Sequence, residues 1–265
     1  MTGTVGFQGA PGAFSEAAAV ELLGAVPTRG YRSFDDLVAA VGRDEVPLAI
    51  LPCENTIYGP IARTYDLLGS HPGVHIVDET THGIEQCLIG LNGATLEMLD
   101  LVVSHPVALD QCRAFLDAHP HVRVEAAEDT AGAILQIVER GDGRVAAIGP
   151  AFAAERYGAL ILARSIQDDP KNFTRFFLIA RNGTPRRSLG RACIKIGLAH
   201  ESGSLAVALG KIAARELNLR SLLARPSRRR PFEYDFFLEL DAPANLDVRE
   251  LASTLSAAAR VLGHY

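Results

Sequence analysis

The chain has 265 residues, 48% of them hydrophobic and 22% charged, which is the composition of an ordinary globular protein with a sizeable core. The formal net charge of −5 argues against a nucleic-acid-binding protein, which usually carries a basic face. No apolar run has the length of a bilayer span and the N-terminal stretch lacks a secretory pattern, so a cytoplasmic location is expected. Four cysteines without a C-x-x-C pair and eight scattered histidines predict neither a zinc site nor a disulfide framework.

Short apolar runs alternate with helical patterns through the first two thirds of the chain, and this alternation predicts an α/β fold. The predicted strands cover residues 4–9, 47–52, 86–91, 99–105, 145–150, 160–166 and 175–181. The predicted helices cover residues 15–24, 34–42, about 107–119, 131–141 and 152–158.

A segment rich in Gly, Pro, Arg and Ser, residues 182–192, interrupts this alternation and reads as a linker. After it, the pattern predicts a βαββα order with a possible final strand, which is a ferredoxin-like unit. Its predicted strands cover residues 193–199, 219–226 and 234–241, and its helices cover 204–218 and 248–263. In the strand 234–241, Phe236, Leu238 and Leu240 alternate with Phe237, Glu239 and Asp241, as expected for a half-buried sheet. The sequence therefore predicts two domains.

Polar residues follow several predicted strands, at the position where open α/β sheets place their ligand sites. The first such stretch, "GFQGAPGAFSE", is a Gly-rich turn before a helix that begins near Ser15. Its free N–H groups favour an anion, but Ser15 is equally well explained as a helix cap. The second places Glu54, Asn55 and Thr56 after the strand "PLAILP". No histidine lies nearby in sequence to activate Cys53, so a buried structural thiol is favoured over a nucleophile.

Two further stretches complete this set. Ser104 follows a strand and Gln111 lies on the next helix, where helix capping and ligand contact are both open interpretations. In "QDDPKNFTRFFLIAR", a polar turn brings Asn172, Thr174 and Arg175 to the start of an apolar strand. An arginine in such surroundings needs an anionic partner, either an internal carboxylate or an anionic substrate, and the sequence does not decide between them.

In this order, the stretches resemble the prephenate dehydratase family over essentially the whole chain. "GAPGAFSEAA" is similar to the family's N-terminal glycine motif, "ENTIYGPIARTYDLL" to its E-N-[ST]-x-x-G motif and "SHPVALDQC" to its S-H-P helix entry. "NFTRF" is similar to the most specific of these motifs, N-x-T-R-F, and "GSLAVAL" with "ARPSRRRPFEYDFFLEL" resembles the ACT regulatory domain that follows in the family.

The resemblance implies decarboxylative dehydration of prephenate to phenylpyruvate, with no cofactor because aromatisation drives the reaction. It implies that Thr174 is the catalytic residue that helps the hydroxyl leave, and that Arg175 binds a substrate carboxylate. Further substrate-binding residues implied by it are Asn55, Thr56, Ser104, Gln111, Glu54, Ser15 and Phe176. It also implies a catalytic domain of residues 1–183 with two lobes, like a periplasmic binding protein, and an ACT domain of residues 184–265. The lobes would be about 1–78 plus 160–183, and 80–158.

The ACT portion departs from the family pattern at the effector site. Family members inhibited by phenylalanine typically carry G-A-L and E-S-R-P, whereas this chain has Gly203-Ser204-Leu205 and Leu223-Ala224-Arg225-Pro226. Altered or absent regulation by phenylalanine is therefore expected. The expected ligand of the ACT domain is phenylalanine or another amino acid. The arginines at 225 and 228–230 are interpreted as a solvated loop. The resemblance also implies a homodimer or homotetramer.

Three other functions compete with this interpretation. An arogenate dehydratase shares the fold and the elimination, but accepts an amine where prephenate has a ketone. A prephenate decarboxylase would keep the hydroxyl, which the presence of Thr174 argues against. A non-catalytic small-molecule sensor could use the same cleft and a degenerate ACT domain.

Overall fold

The computed structural model describes residues 3–181, 183–184, 190–227 and 231–265. Its strands are β1 Val5–Gln8, β2 Thr28–Tyr31, β3 Leu48–Asn55, β4 Gly59–Pro60, β5 His75–Gly83, β6 Cys87–Gly90, β7 Leu101–Ser104, β8 Arg123–Ala126, β9 Val145–Gly149, β10 Leu160–Ala163, β11 Phe173–Ala180, β12 Arg191–Gly197, β13 Leu219–Pro226, β14 Tyr234–Asp241 and β15 Arg260–His264. Its α-helices are α1 Phe14–Leu23, α2 Phe34–Gly42, α3 Ala62–Ser70, α4 Pro106–Gln111, α5 Arg113–Asp117, α6 Thr130–Arg140, α7 Ala151–Tyr157, α8 Ser204–Ala213 and α9 Val248–Leu255, and a short 3₁₀ helix covers Leu96–Met98. The fold is α/β, as predicted, and its sheets are mixed.

The chain divides into two compact units. The first contains Met1–Ser33, Glu54–Gly59 and Thr81–Phe176, and the second contains Phe34–Cys53, Pro60–Thr80 and Phe177–Tyr265. The division falls within β3, β5 and β11. The boundaries of these units differ from those of the domains and lobes proposed from the sequence. The proposed boundaries stay a prediction.

The first unit contains a five-stranded mixed sheet in the order β10-β6-β9-β7-β8. β7 pairs in parallel with β8 and β9, whereas β6 pairs antiparallel with β9 and β10. Every residue of β7 and β9 is buried, because central strands of this kind are covered on both faces. A parallel pair, β1 with β2, also lies in this unit.

The second unit contains the βαββαβ order β12-α8-β13-β14-α9-β15. The four strands pair antiparallel in the order β13-β14-β12-β15. A continuous apolar core that includes Ile194, Ile212 and Leu251 joins this sheet to α8 and α9. β15 then pairs in parallel with β5 at Gly263 and Ile76. A Cβ at Gly263 would lie 2.4 Å from the Ile76 carbonyl oxygen, so this pairing requires glycine.

The structure corrects several predicted elements. The helix predicted for 107–119 is two short helices separated at Cys112, and the one predicted for 248–263 ends at Leu255 and is followed by β15. The helix predicted for 204–218 ends at Ala213, and β3 extends to Asn55 rather than ending at residue 52. Strands β2, β4, β5 and β8 were not predicted.

The expectation that β14 is half-buried is wrong, since Phe237 and Glu239 are buried as fully as Leu238 and Leu240. Tyr65 of α3 accounts for the covered second face, because it stacks edge-on against Phe237 and its hydroxyl donates to Glu239 at 2.5 Å.

The four cysteines are buried thiols, which agrees with the interpretation of Cys53 as a buried structural thiol. Among the described residues, no helix is both long and apolar enough to cross a membrane. The linker residues 182 and 185–189 and the arginines at 228–230 lie outside the described residues.

Candidate active site

The side chain of Asn55, at the end of β3, is the centre of the candidate site. Its Oδ1 accepts hydrogen bonds from the backbone N–H groups of Ile57 at 2.9 Å and Tyr58 at 3.1 Å. Because an amide NH₂ group cannot accept these bonds, they determine which end of the Asn55 amide is the oxygen. Nδ2 therefore faces the other way, toward Asn172 Oδ1 at 2.8 Å and Thr174 Oγ1 at 3.0 Å.

This arrangement determines the direction of the Thr174 hydroxyl. Thr174 is 9% exposed, and its Oγ1 accepts a hydrogen bond from Asn55 Nδ2. A hydroxyl that accepts in this way keeps its own proton for a second partner. The structure therefore presents Thr174 as a neutral hydrogen-bond donor at the start of β11.

Thr56 ties the loop after β3 to the turn before β11. Its hydroxyl donates to the Lys171 carbonyl at 2.8 Å and accepts from the Phe173 N–H at 3.0 Å. Its backbone N–H donates to the Phe173 carbonyl at 2.9 Å. These main-chain contacts occupy the Thr56 side chain and hold residues 55 and 174 at hydrogen-bonding distance.

Glu54 and Arg175 form an ion pair between the same two strands. Arg175 Nε and Nη2 both donate to Glu54 Oε2, at 3.2 and 3.0 Å. The Arg175 side chain is 14% exposed and the Glu54 side chain 40%. The structure thus contains the internal carboxylate partner that the sequence left as one of two possibilities for Arg175.

Ser104 and Gln111 belong to the five-stranded sheet and the helix that follows it, and neither has a hydrogen bond to Thr174 among those described. Ser104 is fully buried and donates to the Ile148 carbonyl at 2.6 Å. Gln111 Oε1 accepts from Gln86 Nε2 at 3.0 Å. The helix bearing Gln111 is nevertheless attached to the loop after β3, because Tyr58 donates to Asp110 at 2.8 Å. Partial desolvation and this carboxylate raise the pKa of the Tyr58 phenol above its usual value.

At the start of α1, an internal carboxylate binds part of the Gly-rich turn. The helix begins at Phe14, and its N-cap residue Ala13 makes no side-chain cap. The buried carboxylate of Glu16 accepts the Gly12 N–H at 2.6 Å and pairs with Arg156 at 2.9 Å. The protein's own carboxylate therefore accepts the Gly12 N–H. Ser15 is a buried residue of the first turn rather than the N-cap, and its substrate contact stays a prediction.

Phe176 lies in the hydrophobic core, and its expected substrate contact stays a prediction. Its side chain is 1% exposed in β11, which gives it a packing role in the hydrophobic core.

The proposed effector residues line two different cavities of the second unit. Ser204 and Leu205 border a cavity of about 220 Å³, and Gly203 immediately precedes them with a φ of 83°, in the left-handed region. Arg225 and Pro226 border another cavity of about 170 Å³, where Arg225 forms a two-pronged pair with Asp66 at 2.7 and 2.8 Å. Among the described residues, the two halves of the predicted effector site thus border different cavities. The interpretation of Arg225 as part of a solvated loop is wrong, because this residue lies in β13 and pairs with Asp66.

Sequence reasoning missed three residues that hold this site together: Gln86, Asp110 and Asn172. Asn172 stands in the quoted motif "NFTRF", so its position was visible but its contact with Asn55 was not. Gln86 and Asp110 carry no local signal, because their partners lie 25 and 52 residues away in sequence. Among the described residues, no group of three or more His, Cys, Asp or Glu side chains is placed to hold a metal ion.

The family model of prephenate dehydratase matches residues 5–184, more than half of the chain. The chain belongs to the prephenate dehydratase family. The family indicated by the sequence motifs is thereby confirmed, and the matched span includes Glu54, Asn55, Ser104, Gln111 and Thr174.

Similar proteins include the chloroplastic arogenate dehydratase/prephenate dehydratase 2 of Arabidopsis thaliana, which is 37% identical over 278 residues, covering 98% of this chain and 72% of the relative. A prephenate dehydratase from Arthrobacter aurescens, solved in complex with L-Phe, has a TM-score of 0.88 at 28% identity, covering 98% of this chain and 89% of that one. GqqA, described as a novel type of quorum quenching acylase, has a TM-score of 0.87 at 29% identity, covering 98% and 96%.

Proposed function

We propose that this protein converts prephenate into phenylpyruvate, carbon dioxide and water, as a lyase of phenylalanine biosynthesis. Membership of the prephenate dehydratase family supports the reaction. The observation that carries the mechanism is the 3.0 Å hydrogen bond from Asn55 to the Thr174 hydroxyl, because it leaves the threonine proton available to the substrate.

The chemistry requires little from the protein beyond orientation and one donor. As the ring carboxylate leaves as CO₂, its bonding electrons move through the ring and expel the hydroxyl, which takes up a proton from solvent to become water. Negative charge develops on that oxygen in the transition state, and a fixed neutral donor stabilises it there. Thr174 supplies this donor, while aromatisation supplies the driving force.

Arg175 provides the positive charge for a substrate that carries two carboxylates. In the free enzyme, the Glu54 carboxylate offsets the positive charge of Arg175 and holds the guanidinium in place. On this proposal, one substrate carboxylate binds Arg175 beside Glu54, and Glu54 acts by orienting the arginine.

The other predicted residues have positioning roles in this proposal. Asn55 orients Thr174, and Thr56 fixes the turn at 171–173 through its hydroxyl. Gln111 is held by Gln86 through its oxygen, which leaves its NH₂ group as the donor for a substrate oxygen. Ser104 uses its proton on the Ile148 carbonyl, so that its lone pairs alone remain for a ligand.

One assay tests the reaction directly. Purified protein without added metal is incubated with prephenate and, in parallel at equal enzyme concentration, with arogenate, and phenylpyruvate and phenylalanine are measured. Faster turnover of prephenate is the expected result, and faster turnover of arogenate identifies an arogenate dehydratase. No turnover of either, with tight binding of either, supports the sensor.

One structural neighbour is described as an acylase, so hydrolysis of an N-acyl substrate is measured in the same assay. Thr174 could serve as the nucleophile of an acylase only if an adjacent base activated it. The described partner of the Thr174 hydroxyl is the Asn55 amide, which is not a base. No hydrolysis through Thr174 is therefore expected.

We also propose that residues 184–265 form an ACT regulatory domain. The βαββαβ order of residues 191–264 supports this assignment, and the Arthrobacter aurescens relative was solved with L-Phe. Leu223 and Ala224 replace the Glu and Ser of the typical effector motif, so phenylalanine inhibition is expected to be weak or absent. Tight, specific inhibition in a phenylalanine titration would contradict this expectation.

The remaining parts of the proposal concern organisation. We expect a two-lobed, periplasmic-binding-protein-like catalytic domain, a homodimer or homotetramer, a cytoplasmic location and no cofactor. Light scattering of the purified protein at several concentrations tests the oligomeric state.

A further inference from the structure

Asn172 is a buried polar residue of the site to which neither the sequence motifs nor the proposed reaction gave a role. It is 2% exposed, and its Oδ1 accepts the 2.8 Å hydrogen bond from Asn55 Nδ2. Its carbonyl also accepts from the N–H of Ile84 at 2.8 Å, which fixes its main chain. Backbone and side chain are thus both held.

The orientation of the Asn172 amide follows from the orientation of Asn55. The N–H groups of Ile57 and Tyr58 require the Asn55 oxygen on their side, so Asn55 presents its NH₂ group to Asn172. The Asn172 oxygen must therefore accept this hydrogen bond, and the Asn172 NH₂ group points the other way. Within the described part of the chain, that Nδ2 atom is buried and has no hydrogen-bond partner.

A buried donor without a partner destabilises a fold, whereas an apolar side chain of similar size would avoid the penalty. An asparagine at this position is therefore poorly explained by stability alone. Its oxygen, however, completes the set of acceptors around Asn55 Nδ2. With one N–H directed to Asn172, the other is directed to the Thr174 hydroxyl, 3.0 Å away.

We infer that Asn172 is a positioning residue of the active site, which fixes the Asn55 amide so that the Thr174 hydroxyl accepts from it and donates to the substrate. The inference rests on the proposed dehydratase function for its kinetic consequence, but not for its structural one. The Phe173 carbonyl also lies 3.0 Å from Nδ2 and competes with the hydroxyl for the second N–H. Loss of the Asn172 oxygen lets the amide move toward that carbonyl and weakens its bond to the hydroxyl.

The kinetic test compares Asn172→Leu and Asn172→Asp with wild type and with Asp169→Asn, a matched control in the same exposed turn. Asn172→Leu is expected to lower kcat about 10- to 100-fold with little change in KM, because misorientation of one catalytic group costs this much. Its thermal unfolding midpoint is expected to equal or exceed that of wild type, since the unpartnered donor is removed. Asp169→Asn should match wild type in both measurements.

Asn172→Asp is the conservative variant, because it retains an oxygen that can accept the hydrogen bond from Asn55. When neutral, its carboxyl keeps the contact with Asn55 and regains much of the lost kcat. When charged, it stands beside a dianionic substrate, so its activity should fall as the pH rises, whereas the profile of Asn172→Leu parallels that of wild type. Wild-type kcat in Asn172→Leu, or parallel loss of kcat and thermal midpoint in both variants, would overturn the inference.

A second measurement does not depend on catalysis. The side-chain NH₂ resonances of Asn55, assigned by their loss in Asn55→Asp, should shift in Asn172→Leu and stay in place in Asp169→Asn. Unshifted resonances contradict the positioning role even if the wild-type protein proves not to be a dehydratase. Shifted resonances in an inactive wild-type protein leave the role standing and reject the proposed reaction.

Discussion

Replacing Thr174 with valine is the most direct perturbation of the proposed mechanism. Valine has nearly the shape of threonine, so the change removes the hydroxyl and little else. The structure lets the two consequences, on stability and on catalysis, be separated.

The effect on stability should be small. Asn55 Nδ2 keeps two other acceptors within 3.0 Å, Asn172 Oδ1 and the Phe173 carbonyl, so no buried donor loses its last partner. The expected change in the free energy of unfolding is therefore about 1 kcal/mol or less.

The effect on catalysis should be large. Removing a donor aimed at developing negative charge typically raises the barrier by about 2.7–4 kcal/mol, a loss of roughly 10²–10³ in kcat. Because this bond strengthens in the transition state, KM should change little. The Thr174→Ser variant keeps the hydroxyl and should retain most of the activity.

The assay follows phenylpyruvate formation from prephenate spectrophotometrically, over a range of substrate concentrations for wild type and both variants. Urea unfolding of each protein provides the stability control. A Thr174→Val enzyme with less than a tenfold loss of kcat and unchanged stability would refute the role of the threonine as donor.

Three further predictions follow from individual contacts. Asn55→Asp keeps the bonds to the loop but loses the NH₂ group, so the Thr174 proton turns to the new carboxylate; kcat should fall by roughly 10²–10³, and a loss below tenfold contradicts this. Tyr65→Phe removes the donor to the buried Glu239 carboxyl and should lower the free energy of unfolding in urea by about 1.5–3 kcal/mol. A loss under about 0.5 kcal/mol, which is the usual effect of a surface substitution, would contradict a stabilising role of this hydrogen bond. Burial raises the pKa of Cys112 to about 12, so its thiol should resist alkylation in the native protein at pH 8 and react after denaturation. Since the unfolded thiol ionises first, the stability that Cys112 contributes is present below pH 9 and lost as the pH rises toward 12. The measurement is the difference in unfolding free energy between wild type and Cys112→Ala at pH 8 and at pH 10.5. An equal difference at both pH values would contradict the shift.

The elements predicted well are those whose signals are local. The helix α6 has Asp129 as N-cap, with its side chain accepting the Gly132 N–H at 2.6 Å, and ends at Gly141 in the left-handed conformation. Both signals stand beside the helix in sequence. Its predicted bounds, 131–141, differ from the observed ones by one residue.

The elements predicted poorly depend on partners far along the chain. The helix predicted for 107–119 breaks at Cys112 because Asp168, some 55 residues later, accepts the N–H groups of Arg113 and Ala114. Asp168 also donates its own N–H to the Gln111 carbonyl at 2.7 Å. An external carboxylate that starts a new helix leaves no trace in the local apolar period.

The predicted burial of strand β14 is wrong for a related reason. The alternation of apolar and polar residues predicts one solvated face, yet Glu239 is 3% exposed. A carboxyl can be buried where donors reach it, and the hydroxyl of Tyr65 does so from 174 residues away. Period-two alternation describes residue types and not what covers them.

The candidate site shows the same division between residue types and contacts. The motifs predicted Asn55 and Thr174 as functional residues, but not that they share a hydrogen bond. The amide at position 55 must accept two backbone N–H groups and donate in the opposite direction. Aspartate has no donor, serine and threonine are too short to bridge both sides, and glutamine places the amide one methylene farther out. Asparagine is therefore the side chain that fits this geometry, and the sharp turn after it, with Gly59 at a φ of 75°, is the backbone that brings those N–H groups to its oxygen.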